Sequence, residues 1–341
     1  PDLPSGVDDR IRLWASSSLC DAHVACILQG VRAQLAKVER LEGAYETFLS
    51  AVRPDALLTV SEINPPVESA ALAATVLGVP TINVQHGAIT DLSRFSDFRF
   101  DAFCVFGEAY AEVLAGRGTA TDRLHVTGSP LLDRRLTSPA PARTSWHLTL
   151  LFAAGYACAT VSDAALHDTL AMVLAAARED GDAEVKVKLH PLGAGHEAGY
   201  EAALAEYPDV PVTVTRDADL DTMMRTCDCV ITHGSTVAID AAAYHRPVLL
   251  LSLPGDEDLL PLVAEGTALR AKSSAELVSR FADVRIGAGI LDADYERVCA
   301  RYTFTPDGGA GERIADVCET LAGRGRAATN ASQPSGNDSD A

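Results

Sequence analysis

Apolar residues return every three or four positions from Ala22 to Val52, at Val24, Ile27, Val31, Leu35, Val38, Leu41, Tyr45 and Leu49. That spacing predicts a long amphipathic helix, stopped by Pro54-Asp55. The pattern then shortens. Apolar runs at 56–60 and 79–84 flank an Ala-rich helix from Pro65 to Leu77, closed by Gly78. Strand, helix and strand with short connections predict a right-handed crossover in a parallel sheet. Further strands are expected at 101–107 and 124–128, with a helix at 108–115 between them. Residues 1–20 carry no strong pattern.

Residues 134–146 combine prolines, arginines and small polar residues and read as a linker, with a domain boundary near Ser138. A second sheet opens at Leu148–Phe152, followed by a small turn, Ala153-Ala154-Gly155, and a helix at 162–178. From Glu184 to Pro191, Val185, Val187 and Leu189 alternate with Lys186, Lys188 and His190. This predicts a half-exposed strand that Pro191 ends. Charge protection of a sheet edge is the alternative use of those lysines. Helices at 197–206 and 219–226 and a strand at 211–215 lead into Cys229–Ser252, which reads as strand, tight turn, helix, strand. Helices near 273–283 and 311–322 complete the second half. The expected architecture is α/β: a first domain at 1–138, a second at 139–323, and a disordered tail at 324–341 that lacks an apolar face. The sequence starts at Pro1 without a methionine, which leaves the first domain open to N-terminal truncation.

Composition narrows the partners. The 341 residues carry a net charge of −19, and only four are lysine. An acidic, lysine-poor surface argues against nucleic acid, which needs a basic face, and fits a solvated surface in a salty cytoplasm. The eight cysteines show no paired metal-like spacing. They read as small buried apolar residues in a reducing, cytoplasmic setting. No run approaches the roughly 20 apolar residues that span a bilayer, so membrane association would be peripheral. No metal-ligand cluster and no cofactor motif is visible.

Candidate chemistry gathers at strand ends, where open α/β sheets bind ligands. In the Cys229–Ser252 stretch, Gly234 permits a sharp turn after His233, and Ser235 or Thr236 can cap the following helix. A helix start offers N–H groups and a positive dipole end, an arrangement suited to phosphate. Asp240, a turn further on, is placed to accept a hydroxyl such as a ribose's. Lys188 and His190 share one face of their strand and can bring two cations to the same cleft. In the first half, a strand ends in Gln85-His86-Gly87. His86 can point into the cleft, and Asp91 either orients it or is a surface carboxylate. Asp256-Glu257-Asp258 is either a sugar-hydroxyl contact or a solvated acidic loop.

Four elements occur in order: Gln85-His86-Gly87, Gly128-Ser129-Pro130 with Asp133, Lys188-Leu189-His190-Pro191, and Gly234 to Asp240. The chain thereby resembles GT-B proteins of surface-polymer synthesis, the CDP-glycerol glycerophosphotransferases and capsule polysialyltransferases, and in layout UDP-N-acetylglucosamine 2-epimerases. The resemblance implies a GT-B fold, with two Rossmann-like parallel-sheet domains facing a central cleft. It implies a nucleotide-activated sugar or polyol donor held by His190, Pro191, Ser235 and Thr236, with Asp240 at the acidic position after the turn. It sets His86 and Gly87 beside a glycan or lipid-linked acceptor. Gly234-Ser235 stands where the transferases often have a serine pair, and the epimerases' Ser-Gly-Gly and Gln-Glu-Glu pattern is absent. The expected reaction is transfer to an acceptor hydroxyl. His190, Lys188 and the turn's N–H groups would stabilise the leaving phosphate, and His86 or Asp91 would act as base. An epimerase-like enzyme and a non-catalytic nucleotide-sugar-binding protein are the alternatives.

Overall fold

The computed structural model describes residues 21–60, 65–89, 100–135, 147–155, 162–195, 197–233, 235–252, 262–287, 292–304 and 306–331. It begins with the long helix α1 (Asp21–Val52). Leu28 and Leu49 on its periodic stripe are buried, and Tyr45 and Leu49 pack with Ala73 and Ala74 of α2 (Pro65–Val76). Between them runs β1 (Leu57–Val60), and after α2 comes β2 (Thr81–Val84). Then follow β3 (Ala102–Val105), α3 (Glu108–Gly116), β4 (Leu124–Val126) and a short helix, α4 (Pro130–Arg135). The four strands form one parallel sheet in the order β1-β2-β3-β4. α4 was expected only as a strand exit. Its Pro130 occupies the first helical position, where a missing N–H costs nothing.

The second sheet contains β5 (Leu148–Ala153), β6 (Ala183–Lys188), β7 (Val212–Thr215), β8 (Cys229–Thr232), β9 (Val248–Leu251) and β10 (Ala268–Ala271). Its helices are α5 (Asp163–Asp180), α6 (Ala198–Glu206), α7 (Leu220–Thr226), α8 (Val237–Ala243) and α9 (Ser274–Ile286). Ser162, Asp219 and Ser273 cap α5, α7 and α9 by accepting from N–H groups three residues on. All pairings are parallel, in the order β10-β9-β8-β5-β6-β7. With β5 as first strand this is the doubly wound 3-2-1-4-5-6 order, whose topological switch point lies between β5 and β8. β6 is an interior strand, so its lysines do not guard an edge. The edge is β7.

One face of the second sheet packs Leu150, Phe152, Val185, Val187 and Ile231 against α5, α6 and α9. The other face joins a core common to both lobes, in which Leu151, Val230 and Val248 meet Met224, Ile239, Tyr110 and Leu114. Two final helices, α10 (Asp292–Tyr302) and α11 (Ala310–Ala331), tie the lobes together. α10, like β10, was not foreseen. Its Tyr295, Val298 and Tyr302 enter the common core. α11 was expected to close the second domain and to end near residue 322. Instead Ile314, Val317 and Leu321 pack on Ile82, Val84 and Ala102 of the first sheet, and the helix runs on to Ala331, into the stretch expected to be disordered. Residues 332–341 lie outside the described residues.

Two glycines make this return crossing feasible. A Cβ on Gly107, before α3, would lie 2.3 Å from the Arg301 carbonyl oxygen and 2.6 Å from the Tyr302 carbonyl carbon. Gly128 has φ +81°, which L side chains rarely adopt, and the Arg313 and Phe304 side chains close over it.

Candidate functional site

The carboxyl ends of the second sheet's strands form a row. Ala153 is in register with Lys188 on one side and Thr232 on the other. Neighbouring parallel strands lie about 4.8 Å apart, so Lys188 and Thr232 are separated by about 10 Å. Between them the chain leaves β5 through Ala153, Ala154 and Gly155, which project almost no side chain. The Ala154 N–H donates to the Lys188 carbonyl (3.0 Å) and the Thr232 hydroxyl to the Ala153 carbonyl (3.2 Å). Tyr200 closes the floor, its hydroxyl 3.5 Å from the Gly155 carbonyl.

Beyond β8, His233 and Ser235 are half-buried and Thr236 is exposed. Ser235 fills the capping role: its Oγ accepts from the Val237 N–H at 3.3 Å, while Thr236 makes no side-chain cap. Only seven residues long, α8 contributes a modest dipole. Gly234 lies outside the described residues, as do Asp91 and Asp256-Glu257-Asp258. Asp240 is half-buried and raises the pKa of Tyr110, a buried residue of the other lobe. Burial is the larger cause of that rise, and the nearby carboxylate adds to it. Asp240 therefore stands at the lobe junction, close to a first-lobe phenol.

Lys188 and His190 do come together, with a partner that the sequence pattern did not reveal. Arg216, just past β7, donates through Nη1 to the His190 carbonyl and through Nη2 to the Glu197 carboxylate. Lys188 Nζ donates to the Arg216 carbonyl at 2.5 Å. The His190 carbonyl also accepts from the Gly193 N–H (3.0 Å), within a 3-10 turn that starts at the exposed Pro191. Burial first, then the Lys188 and Arg216 charges, hold the His190 imidazole below the ordinary histidine range. At neutral pH His190 is thus a neutral ring that can donate one N–H, and the two-cation expectation needs correcting. The fixed positive charges here belong to Lys188 and Arg216. Arg216 escaped the sequence reading because it follows the edge strand β7, far from the Lys-x-His pattern.

The facing loop comes from the first lobe. Gln85 is 1% exposed. Its Nε2 donates to the Gly87 carbonyl and its Oε1 accepts from the Phe106 N–H, both at 2.7 Å. These bonds hold His86 and Gly87, the two residues after Gln85, in a fixed bend with the His86 side chain exposed. A methyl group on Gly87 would sit 3.8 Å from Thr236 Cγ2. The His86-Gly87 loop of one lobe and the Ser235-Thr236 turn of the other therefore approach, at Gly87 and Thr236, to within the space of one methyl group. Ile89, two residues on, is buried in the common core with Ala238 and Ile239 of α8.

The second of the ordered elements does not join this group. Asp133 Oδ2 accepts from the Ala310 N–H (2.8 Å) and so caps α11, while Arg313 Nε donates to the Thr127 carbonyl (2.8 Å). Gly128, Ser129, Pro130 and Asp133 form the joint on which the last helix docks. Among the described residues, no cluster of three or more His, Cys, Asp or Glu is arranged to hold a metal ion, and no helix is long and apolar enough to cross a membrane.

A family model described as capsule polysaccharide biosynthesis protein matches residues 156–255, from just after β5 to just after β9. A sequence search of curated proteins finds no match. Among solved structures, UDP-GlcNAc 2-epimerase from Neisseria meningitidis bound to UDP-GlcNAc is similar at TM-score 0.60 and 16% identity, over 83% of this chain and 80% of that one. S. aureus MnaA with UDP gives TM-score 0.58 and 16% identity, over 84% and 79%. The wall teichoic acid polymerase TagF gives TM-score 0.51 and 15% identity, over 72% and 69%. At these identities the likeness shows the fold, two parallel-sheet α/β domains of GT-B type.

Proposed function

We propose that this protein is a transferase of cell-surface polysaccharide or glycoconjugate synthesis. It moves a sugar or polyol-phosphate group from a nucleotide-activated donor to an acceptor hydroxyl. The observation that carries the reading is the meeting of the His86-Gly87 loop with the Ser235-Thr236 turn, beside the switch point of a doubly wound sheet. An exposed first-lobe histidine thus lies on the loop that approaches the turn after β8. The capsule-synthesis match over 156–255 and the TagF likeness support the same class.

In this reading the donor's phosphates lie across Ala153–Gly155, between Lys188 and the turn formed by His233, Gly234, Ser235 and Thr236. Lys188 and Arg216 offset the charge that develops on the departing phosphate, and neutral His190 donates an N–H to it. Asp240 takes a donor hydroxyl from behind the turn. The acceptor, a glycan or a lipid-linked chain, enters on the first-lobe side, where His86 or Asp91 removes its proton. The residues up to about 138 serve the acceptor and the second sheet serves the donor. The reaction belongs in the cytoplasm, where the acidic surface is well solvated.

Thermal shift with CMP, CDP, UDP, GDP and their sugar or polyol conjugates tests the reading. A ligand that binds only the folded state raises the melting temperature, so at least one nucleotide should do so, and its base identifies the donor class. No shift with any of them would end the proposal. The higher TM-scores against the epimerases favour one second reading, an epimerase acting on a free nucleotide sugar. Conversion of UDP-GlcNAc without any acceptor would establish it.

A further inference from the structure

We propose that Arg216 is the residue that positions His190 for the donor's phosphate, with Glu197 as its anchor. The inference rests on the donor-site reading above, but its first test does not. Arg216 spans three elements: it follows β7, grips the carbonyl of the residue two past β6, and pairs with the residue just before α6. A guanidinium suits this role, because its rigid plane holds separate nitrogens toward the carbonyl and the carboxylate, whereas a lysine's three donors radiate from one nitrogen. The grip is reciprocal, because Lys188 donates to the Arg216 carbonyl. The exits of β6 and β7 are thereby locked in one arrangement, beside the small residues Ala153–Gly155 that follow β5.

The environment of His190 supports the assignment. Charged groups that the structure sets around it include Lys188 just before it, Arg216 after β7, and Glu197 before α6 through Arg216. Burial is the largest cause that disfavours the imidazolium, and the Lys188 and then the Arg216 charges add to it. The arginine thus does two things: it fixes the backbone that carries the ring, and, beside burial and Lys188, it disfavours the ring's charged form until an anion arrives. A bound diphosphate would reverse the second effect and favour proton uptake by His190.

The test uses the full chain with Arg216→Gln and Arg216→Lys. The His190 imidazole signal, assigned by its loss in His190→Gln, is titrated by NMR without ligand. Affinity for UDP and CDP is measured by calorimetry. In the wild type the ring should titrate below the ordinary histidine range. Arg216→Gln should move the midpoint upward, and Arg216→Lys should leave it near the wild type. Both variants should bind the responding nucleotide at least tenfold more weakly, as expected for loss of a charge-assisted fork. An unchanged midpoint in Arg216→Gln, or full affinity in Arg216→Lys, overturns the assignment. If Arg216→Gln does not fold, the lysine variant's affinity decides the matter. If neither UDP nor CDP binds the wild type, the donor reading for these bases fails, and the ligand-free titration still decides whether Arg216 governs His190.

Discussion

Replacing Gln85 by leucine keeps the side chain's size but removes both of its hydrogen-bonding groups. The residue is 1% exposed, so water cannot take over. Two backbone groups then lose their side-chain partner: the Gly87 carbonyl and the Phe106 N–H, each bonded at 2.7 Å. An unsatisfied buried polar group costs about 1–3 kcal/mol. Two of them, with some relaxation of the exposed loop, put the loss at about 2–5 kcal/mol, a large share of a domain's usual 5–15 kcal/mol. The bend carrying His86 and Gly87 would loosen, and with it the approach of Gly87 to Thr236. Hydrogen exchange at the Phe106 amide is the direct assay. A loss of 2 kcal/mol corresponds to roughly thirtyfold faster exchange, and transfer activity should fall while nucleotide affinity, set by the other lobe, changes little. Exchange at Phe106 within a factor of three of the wild type would refute the reasoning.

Two other substitutions probe the frame around the site. Gly107→Ala drives a Cβ into the backbone of Arg301 and Tyr302, which cannot rotate away. It should therefore cost at least the 1–3 kcal/mol typical of overpacking and lower the urea midpoint, whereas Gly116→Ala, with open space around it, should not. Asp180 is held below the usual carboxylate range, first by its hydrogen bonds from Arg285 at 2.5 and 2.6 Å. A depressed carboxylate stabilises the fold fully above its unfolded value of about 4. That contribution is lost as pH falls through the lower native value. Unfolding midpoints measured from pH 6 down to pH 2 should fall more steeply in the wild type than in Asp180→Asn, and parallel curves would exclude the pair as a source of acid sensitivity.

Much of the chain follows from local pattern. The three-and-four spacing of α1, the alternation Val185-Lys186-Val187-Lys188, and the caps at Ser162, Asp219 and Ser273 are short-range signals, and their elements form where expected. Strand–helix alternation determined the parallel class of both sheets, because a parallel neighbour requires a crossover. It also placed His86, Lys188, His190 and Ser235 at strand ends. Local pattern was silent on β10, α10 and the path of α11. Ala268–Ala271 holds no β-branched or aromatic residue to announce a strand, and α10 draws its stability from Tyr295, Val298 and Tyr302 entering a core shared by both lobes. Tertiary structure alone brought Arg216 to His190, turned Asp240 toward Tyr110, and made Asp133 a helix cap. The physical reason is common to these cases. Backbone periodicity is decided within a few residues, whereas the charge state of an imidazole or the partner of a carboxylate depends on groups that the chain delivers from 26, 130 or 177 positions away.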